Sequence, residues 1–161
     1  YNTCGPVALA NLLWTYKIRG IDLTQGASSS SDLVEIIKPY VNYSDNYGTN
    51  PINMTGINNF LLGTGYKLTK INVVNGIQDD LYSGPVIGLY SSAKVWETAH
   101  YALATGKGKS LYKRIFGISF YTSWDVVNTW YSVNSNGYPR YKYWVDNQYI
   151  WSGWQLTIDN N

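Results

Sequence analysis

The side chains best suited to chemistry in this chain are one thiol, Cys4, and one imidazole, His100, each the sole example of its type among 161 residues. Cys4 opens the stretch Cys4-Gly-Pro-Val-Ala-Leu-Ala-Asn-Leu-Leu, which reads as the mouth of a buried helix. A thiol in that position faces unpaired backbone N–H groups and the positive end of the helix dipole, and both favour thiolate over thiol. A thiolate nucleophile also needs a base that holds its proton and later delivers it to a leaving amine, a role suited to imidazole. His100 opens His100-Tyr-Ala-Leu-Ala-Thr, which reads as a strand, so its side chain is expected to project from the sheet edge toward a helix packed across it. Taken singly, Cys4 has a bland reading as a small buried hydrophobe and His100 as a surface or core histidine. Their joint placement at the starts of two elements favours a shared chemical role over the bland reading of either.

The elements that must hold these groups follow from periodicity. Thr3 is expected to cap a first helix, with Gly5 and Pro6 in its first turn, apolar residues from Val7 to Tyr16 around much of its circumference, and Gly20 as its terminator. Asp32-Leu-Val-Glu35 reads as a capping-box-like start of a short helix that Pro39 ends, and Thr55 to Leu62 as a third helix. From Tyr66 the period changes to alternation. Strands are expected over Tyr66 to Val74, Pro85 to Ser91, His100 to Thr105, Ile115 to Tyr121, Trp130 to Val133 and Tyr149 to Ile158, with a helical turn near Gln78 to Tyr82. Helices first and strands afterwards predict an α+β fold, N-terminal helices packed on a C-terminal antiparallel sheet, in a single domain spanning residues 1–161.

Cys4-Gly-Pro-Val-Ala-Leu-Ala-Asn-Leu-Leu resembles the nucleophile helix of papain-like cysteine peptidases of the bacterial C39-like group. His100-Tyr-Ala-Leu-Ala-Thr-Gly is similar to that group's catalytic-histidine strand, and Trp130-Tyr-Ser-Val-Asn134-Ser-Asn-Gly137 resembles the Asn-Ser-Trp-Gly segment that supplies a third residue. The resemblance implies a papain-like fold and a cysteine peptidase acting on a peptide or protein substrate, without a cofactor or metal. It makes Cys4 the nucleophile, His100 the general base and acid, and Asn134 the residue that orients the imidazole, with Asp125, Asn128 and Asn136 as alternatives for that third role. The papain signature Cys-Gly-Ser-Cys-Trp is absent, which sets the chain outside the papain subfamily proper. The resemblance also implies an oxyanion-hole donor a few residues upstream of the nucleophile, beside the Cys4 N–H; losing such a donor costs about 2.7–4 kcal/mol of transition-state stabilisation. Because the chain starts three residues before Cys4, that donor is expected from a preceding segment or from Asn2, or else the domain is catalytically silent. The abrupt start also leads to the expectation of a removed leader or propeptide. Alternative readings are an amidase acting on cell-wall peptides and a silent papain-like binding module.

Several function classes are disfavoured. A formal net charge of +2, with scattered Lys and Arg, gives no basic stripe for nucleic acid. No apolar run approaches the roughly 18 residues that span a bilayer. One cysteine excludes an intramolecular disulfide, and one cysteine with one histidine builds no zinc site of familiar spacing. Only 14% of residues are charged, and a surface of Asn, Ser, Thr and Tyr is expected, in keeping with a secreted bacterial protein. Gly106-Lys-Gly-Lys-Ser110 lacks the first glycine of a P-loop and reads as a hairpin turn. Asp79-Asp80 are adjacent, so the pair does not suit glycoside hydrolysis. Ser28 to Ser31 lack a nucleophile elbow, and the aromatic cluster from Tyr121 to Trp154 reads as sheet core and edge, with a sugar-stacking platform as the functional alternative. Asn42-Tyr-Ser and Asn53-Met-Thr match glycosylation sequons.

Overall fold

The computed structural model describes residues 3–77, 79–90, 100–115, 118–128, 142–146 and 150–160, with 106–115, 118–128 and 142–146 described through their backbone pairing. Helix α1 (Cys4–Ile18) is buried at every position from Gly5 to Thr15, as expected of a sequence apolar around most of its circumference. Pro6 falls in the first turn, where a missing N–H costs nothing. The helix stops as predicted: Gly20 adopts φ +98°, and its N–H bonds Lys17 O at 3.0 Å while the Ile21 N–H bonds Tyr16 O at 2.9 Å, the paired bonds of a Schellman cap. Thr3 holds the N-cap position, but its side chain makes no capping bond.

Two details of the helical half differ from expectation. Helix α2 (Ser30–Ile37) begins before Asp32: Ser29 is the N-cap, its hydroxyl accepting the Asp32 N–H at 3.0 Å, and Asp32 reaches back to the Ser28 N–H at 3.0 Å. The α-helix ends at Ile37, just before Lys38-Pro39 as expected, and the chain runs on as a 3-10 segment, Lys38–Val41, whose first turn tolerates proline. The expected third α-helix is a 3-10 segment that starts earlier, Pro51–Asn59, with the Asn50 side chain accepting the Ile52 N–H at 3.1 Å. A Cβ on Gly56 would overlap the Tyr40 carbonyl oxygen, so the two 3-10 segments meet backbone to backbone there.

The sheet is antiparallel at every pairing, with strands β1 (Tyr66–Ile71), β2 (Val86–Tyr90), β3 (His100–Ile115), β4 (Ile118–Asn128), β5 (Lys142–Asp146) and β6 (Ile150–Ile158) in the order β1-β6-β2-β3-β4-β5. The architecture is α+β. Strand β1 is shorter than the alternation suggested. The supposed turn Gly106-Lys-Gly-Lys-Ser110 lies inside β3, with Gly106 opposite Val126 and Ser110 opposite Thr122. The chain reverses between Ile115 and Ile118, which face one another, so the strand expected over Ile115 to Tyr121 straddles a hairpin end. Strand β5 was not foreseen, and Trp130 to Val133 lies outside the described residues. A 3-10 turn at Asp80–Tyr82 stands where a helical turn was expected.

Side-chain alternation divides the core between the two faces of the sheet. Leu68, Ile87, Leu89, Tyr101, Leu103, Trp154 and Leu156 join α1 and α2 in the larger cluster, while Val86, Tyr90, Ala102, Ala104 and Ile150 meet Ile77 on the other side. The edge of β1 is tied to the Pro51–Asn59 segment by Asn58, whose amide bonds both Leu68 O (3.0 Å) and Leu68 N (2.6 Å). Gln155 similarly holds the 3-10 turn by donating to Asp80 O and Gly84 O at 2.8 and 2.9 Å. Among the described residues no helix is long and apolar enough to cross a membrane.

Gly56 gives a test of sign. Helix propensity alone makes Gly→Ala favourable by about 0.5–1 kcal/mol. The Tyr40 carbonyl oxygen occupies the space, and Gly56→Ala is instead expected to destabilise by about 1–3 kcal/mol in urea titration. Leu13→Ala, in the closed core, is expected to cost about 2–5 kcal/mol by the same measurement.

Candidate active site

Cys4 is the first residue of α1, half-buried against the larger core cluster. Its thiol interacts with three backbone N–H groups, those of Tyr101, Gly5 and Cys4 itself. These amides favour the thiolate, as expected of a helix N-terminus. Burial opposes them and prevails, pushing the thiol above its ordinary 9.0. At neutral pH Cys4 is therefore a protonated thiol in the resting structure, not the activated thiolate that its helix position suggested. Three aligned dipoles do not replace the solvation lost when the sulfur is enclosed.

The surroundings of the next residue, Gly5, are built by residues with no strong signal in the sequence. Gly5 admits no side chain without crowding, since a Cβ there would lie 3.1 Å from Thr49 Cβ and 3.5 Å from Tyr101 Cδ2. The Tyr101 hydroxyl donates to Thr49 O at 2.9 Å, fixing the loop before Asn50 against β3. Burial and then the charge that would form on Cys4 push the Tyr101 phenol well above its ordinary 10.0, so it remains a donor. Thr49 is 7% exposed, and its Oγ1 makes no hydrogen bond among the described residues. Tyr101 was detectable as the inward neighbour of His100 in an alternating strand. Thr49 lay in a polar loop with nothing to mark it.

His100 begins β3 opposite Tyr90 of β2. The N–H of the next residue, Tyr101, is among the amides that favour the Cys4 thiolate, so the thiol lies near the start of β3. Alternation nevertheless gives Cys4 and His100 different rows. His100 continues through Ala102 and Ala104, which lie on the Tyr90 side of the sheet, whereas Tyr101 and Leu103 lie on the α1 side. Burial holds the imidazole below its ordinary 6.5, so it is neutral at pH 7. The resting site thus contains a neutral thiol and a neutral imidazole. The sequence expectation that His100 projects toward the helix meets this register constraint.

Of the third-residue candidates, Asn134 and Asn136 lie outside the described residues, as does Asn2. Asn128 and Asp125 both fall in β4, opposite Leu103 and Lys107. At about 3.3 Å per residue these positions are roughly 10 and 23 Å along the sheet from His100. Asn128 is thus the nearer of the two, and Asp125 stands beyond side-chain reach. Among the described residues no group of three or more His, Cys, Asp or Glu is arranged to hold a metal ion.

The two titration shifts carry linked expectations. The raised Cys4 keeps its proton in the fold at pH values where the unfolded chain loses it, so its contribution is present below pH 9.0 and is lost as pH rises above it. The lowered His100 binds its proton less readily in the fold, so its contribution is present above pH 6.5 and is lost as pH falls below it. Thermal unfolding from pH 5 to 10 is expected to show both declines, with Cys4→Ala flattening the alkaline limb and His100→Phe the acid limb. Iodoacetamide labelling of native protein is expected to be slow at pH 7 and to accelerate above pH 9, a free-thiol peptide being the control. Tyr101→Phe leaves Thr49 O without its buried donor and is expected to cost about 1–3 kcal/mol.

No family model, no curated protein and no solved structure matches this chain.

Proposed function

We propose that this chain is a secreted papain-like cysteine peptidase in which Cys4 attacks the scissile carbonyl and His100 carries the proton. The observation that carries the reading is the meeting of the only thiol, at a buried helix N-terminus, with the N–H of the residue that follows the only imidazole. In this reading the nucleophile forms when the thiol proton passes to the His100 imidazole as substrate enters. Sulfur then bonds to the carbonyl carbon, and the tetrahedral oxyanion is held by the Cys4 N–H with a second donor from Asn2 or a preceding segment. Collapse expels the amine, which takes the proton from His100, leaving a thioester. Water attacks the thioester as His100 accepts its proton, and the acid product leaves with Cys4 protonated again. Asn134 orients the imidazole. His100 is the terminal residue of β3, and the reading requires its ring to reach the sulfur around the end of the strand.

A second reading, a silent papain-like binding module, is favoured by the protonated thiol, the neutral imidazole and their different rows. Hydrolysis assays separate the two. With casein and with cell-wall peptide fragments as parallel substrates, Cys4→Ala and His100→Ala are each expected to lower turnover by more than about a thousandfold while far-UV circular dichroism is unchanged. Asn134→Ala is expected to lower it less. Full turnover in Cys4→Ala removes the peptidase reading, and cleavage of the cell-wall fragments alone selects an amidase.

A further inference from the structure

Away from Cys4, the two 3-10 segments border an open surface cavity of about 540 Å³. Its walls present Tyr40 and Asn42 on one side and Ile52, Asn53, Thr55 and Asn59 on the other. None of its lining residues is charged. We propose that this cavity binds a neutral saccharide.

The walls are held before any ligand arrives. Gly56 brings its segment into backbone contact with Tyr40, Asn50 caps the same segment, and the Asn42 amide donates to Asn53 Oδ1 across the cavity at 3.4 Å. The Tyr40 ring is held edge-on against Phe60 with centroids 5.3 Å apart, yet remains 39% exposed. Ligand cavities of roughly 300–1,000 Å³ are typical, and a site formed before binding loses little ordering entropy.

Chemistry then narrows the ligand. Each side-chain amide offers both donors and an acceptor, as does each sugar hydroxyl in combination with its neighbour. The Asn42–Asn53 bond leaves the Asn42 carbonyl and the Asn53 amino group available, and the Asn59 amide and Thr55 hydroxyl make no hydrogen bond among the described residues. The Tyr40 ring and Ile52, which is 82% exposed, supply apolar surface for the C–H faces of a pyranose. Phosphorylated ligands find no cation in the lining. A purely apolar ligand would desolvate the amides without replacing their hydrogen bonds. An extended peptide is usually captured on a free strand edge or in an apolar helix groove, and neither wall is of that kind.

The test is titration of the unglycosylated full chain with maltotriose, cellotriose and chitotriose, followed by calorimetry and by amide NMR shifts. Saturable binding of at least one trisaccharide is expected, with shifts confined to residues 39–59. Asn53→Ala and Asn59→Ala are each expected to weaken it about three- to tenfold with the unfolding midpoint unchanged. Three results overturn the proposal: no saturable binding of any of the three up to about 20 mM, binding that neither substitution affects, or stronger binding of a neutral Gly-Ser peptide than of every sugar. Because none of these variants touches Cys4 or His100, saccharide binding stands or falls independently of whether the chain hydrolyses peptides.

Discussion

Burial of α1 is the constraint on which the other features depend. Every residue from Gly5 to Thr15 is removed from solvent, so the helix needs cover around its whole circumference. One side is met by the inward row of the sheet, from Leu68 through Leu103 to Trp154 and Leu156, and the remainder by α2 and the 3-10 segments. Strand β6 enters between β1 and β2, and its Trp154 and Leu156 join the cluster that covers the helix. The opposite face carries a smaller cluster under the loop around Ile77. There the Tyr90 ring lies across Gly88, a residue that admits no Cβ, and the neighbouring register positions are Ala102 and Gly153. Small residues beneath one aromatic ring let that face close with few side chains.

The same burial decides the electrostatics of the thiol. A helix N-terminus attracts negative charge because its amides are unpaired, but that attraction competes with the solvation an anion loses on leaving water. At Cys4 the competition favours the neutral form even with the Tyr101 amide added. The neutral state of His100 has the same cause. Both groups therefore rest uncharged near neutral pH, for one reason: each has left water without an opposite charge to replace it.

The loop packed against Gly5 continues into the cavity between the two 3-10 segments. Thr49 touches Gly5 and accepts the Tyr101 hydroxyl; Asn50 caps the next segment; Ile52 stands at the cavity. Three residues span at most about 10 Å, so the two regions are neighbours along one short, doubly anchored stretch. The Asn-rich composition of this part of the chain is explained locally: Asn50 and Asn58 replace backbone partners that a 3-10 segment and an edge strand lack, and Asn42 takes the left-handed conformation that lets the chain turn.

Local chemistry was sufficient for some of this structure. The apolar circumference of α1, its Gly20 terminator and the change of period at Tyr66 are properties of neighbouring residues, and they determined an α+β order of elements with Cys4 at a helix start and His100 at a strand start. Features that depend on distant partners were not legible. Gly106 to Ser110 carries turn residues but is drawn into a long strand because β4 pairs with it throughout, and Thr55 to Leu62 has helical spacing but forms part of a 3-10 segment where its Gly56 backbone meets the Tyr40 carbonyl. The protonation of Cys4 was decided by its burial against the core, which outweighs even the amide of Tyr101, a residue 97 positions away in sequence. The row occupied by His100 was decided by its pairing with Tyr90. Sequence determined which reactive groups the chain possesses and which elements bear them; tertiary structure alone decided their solvation and facing, because both are set by atoms brought together only when the chain folds.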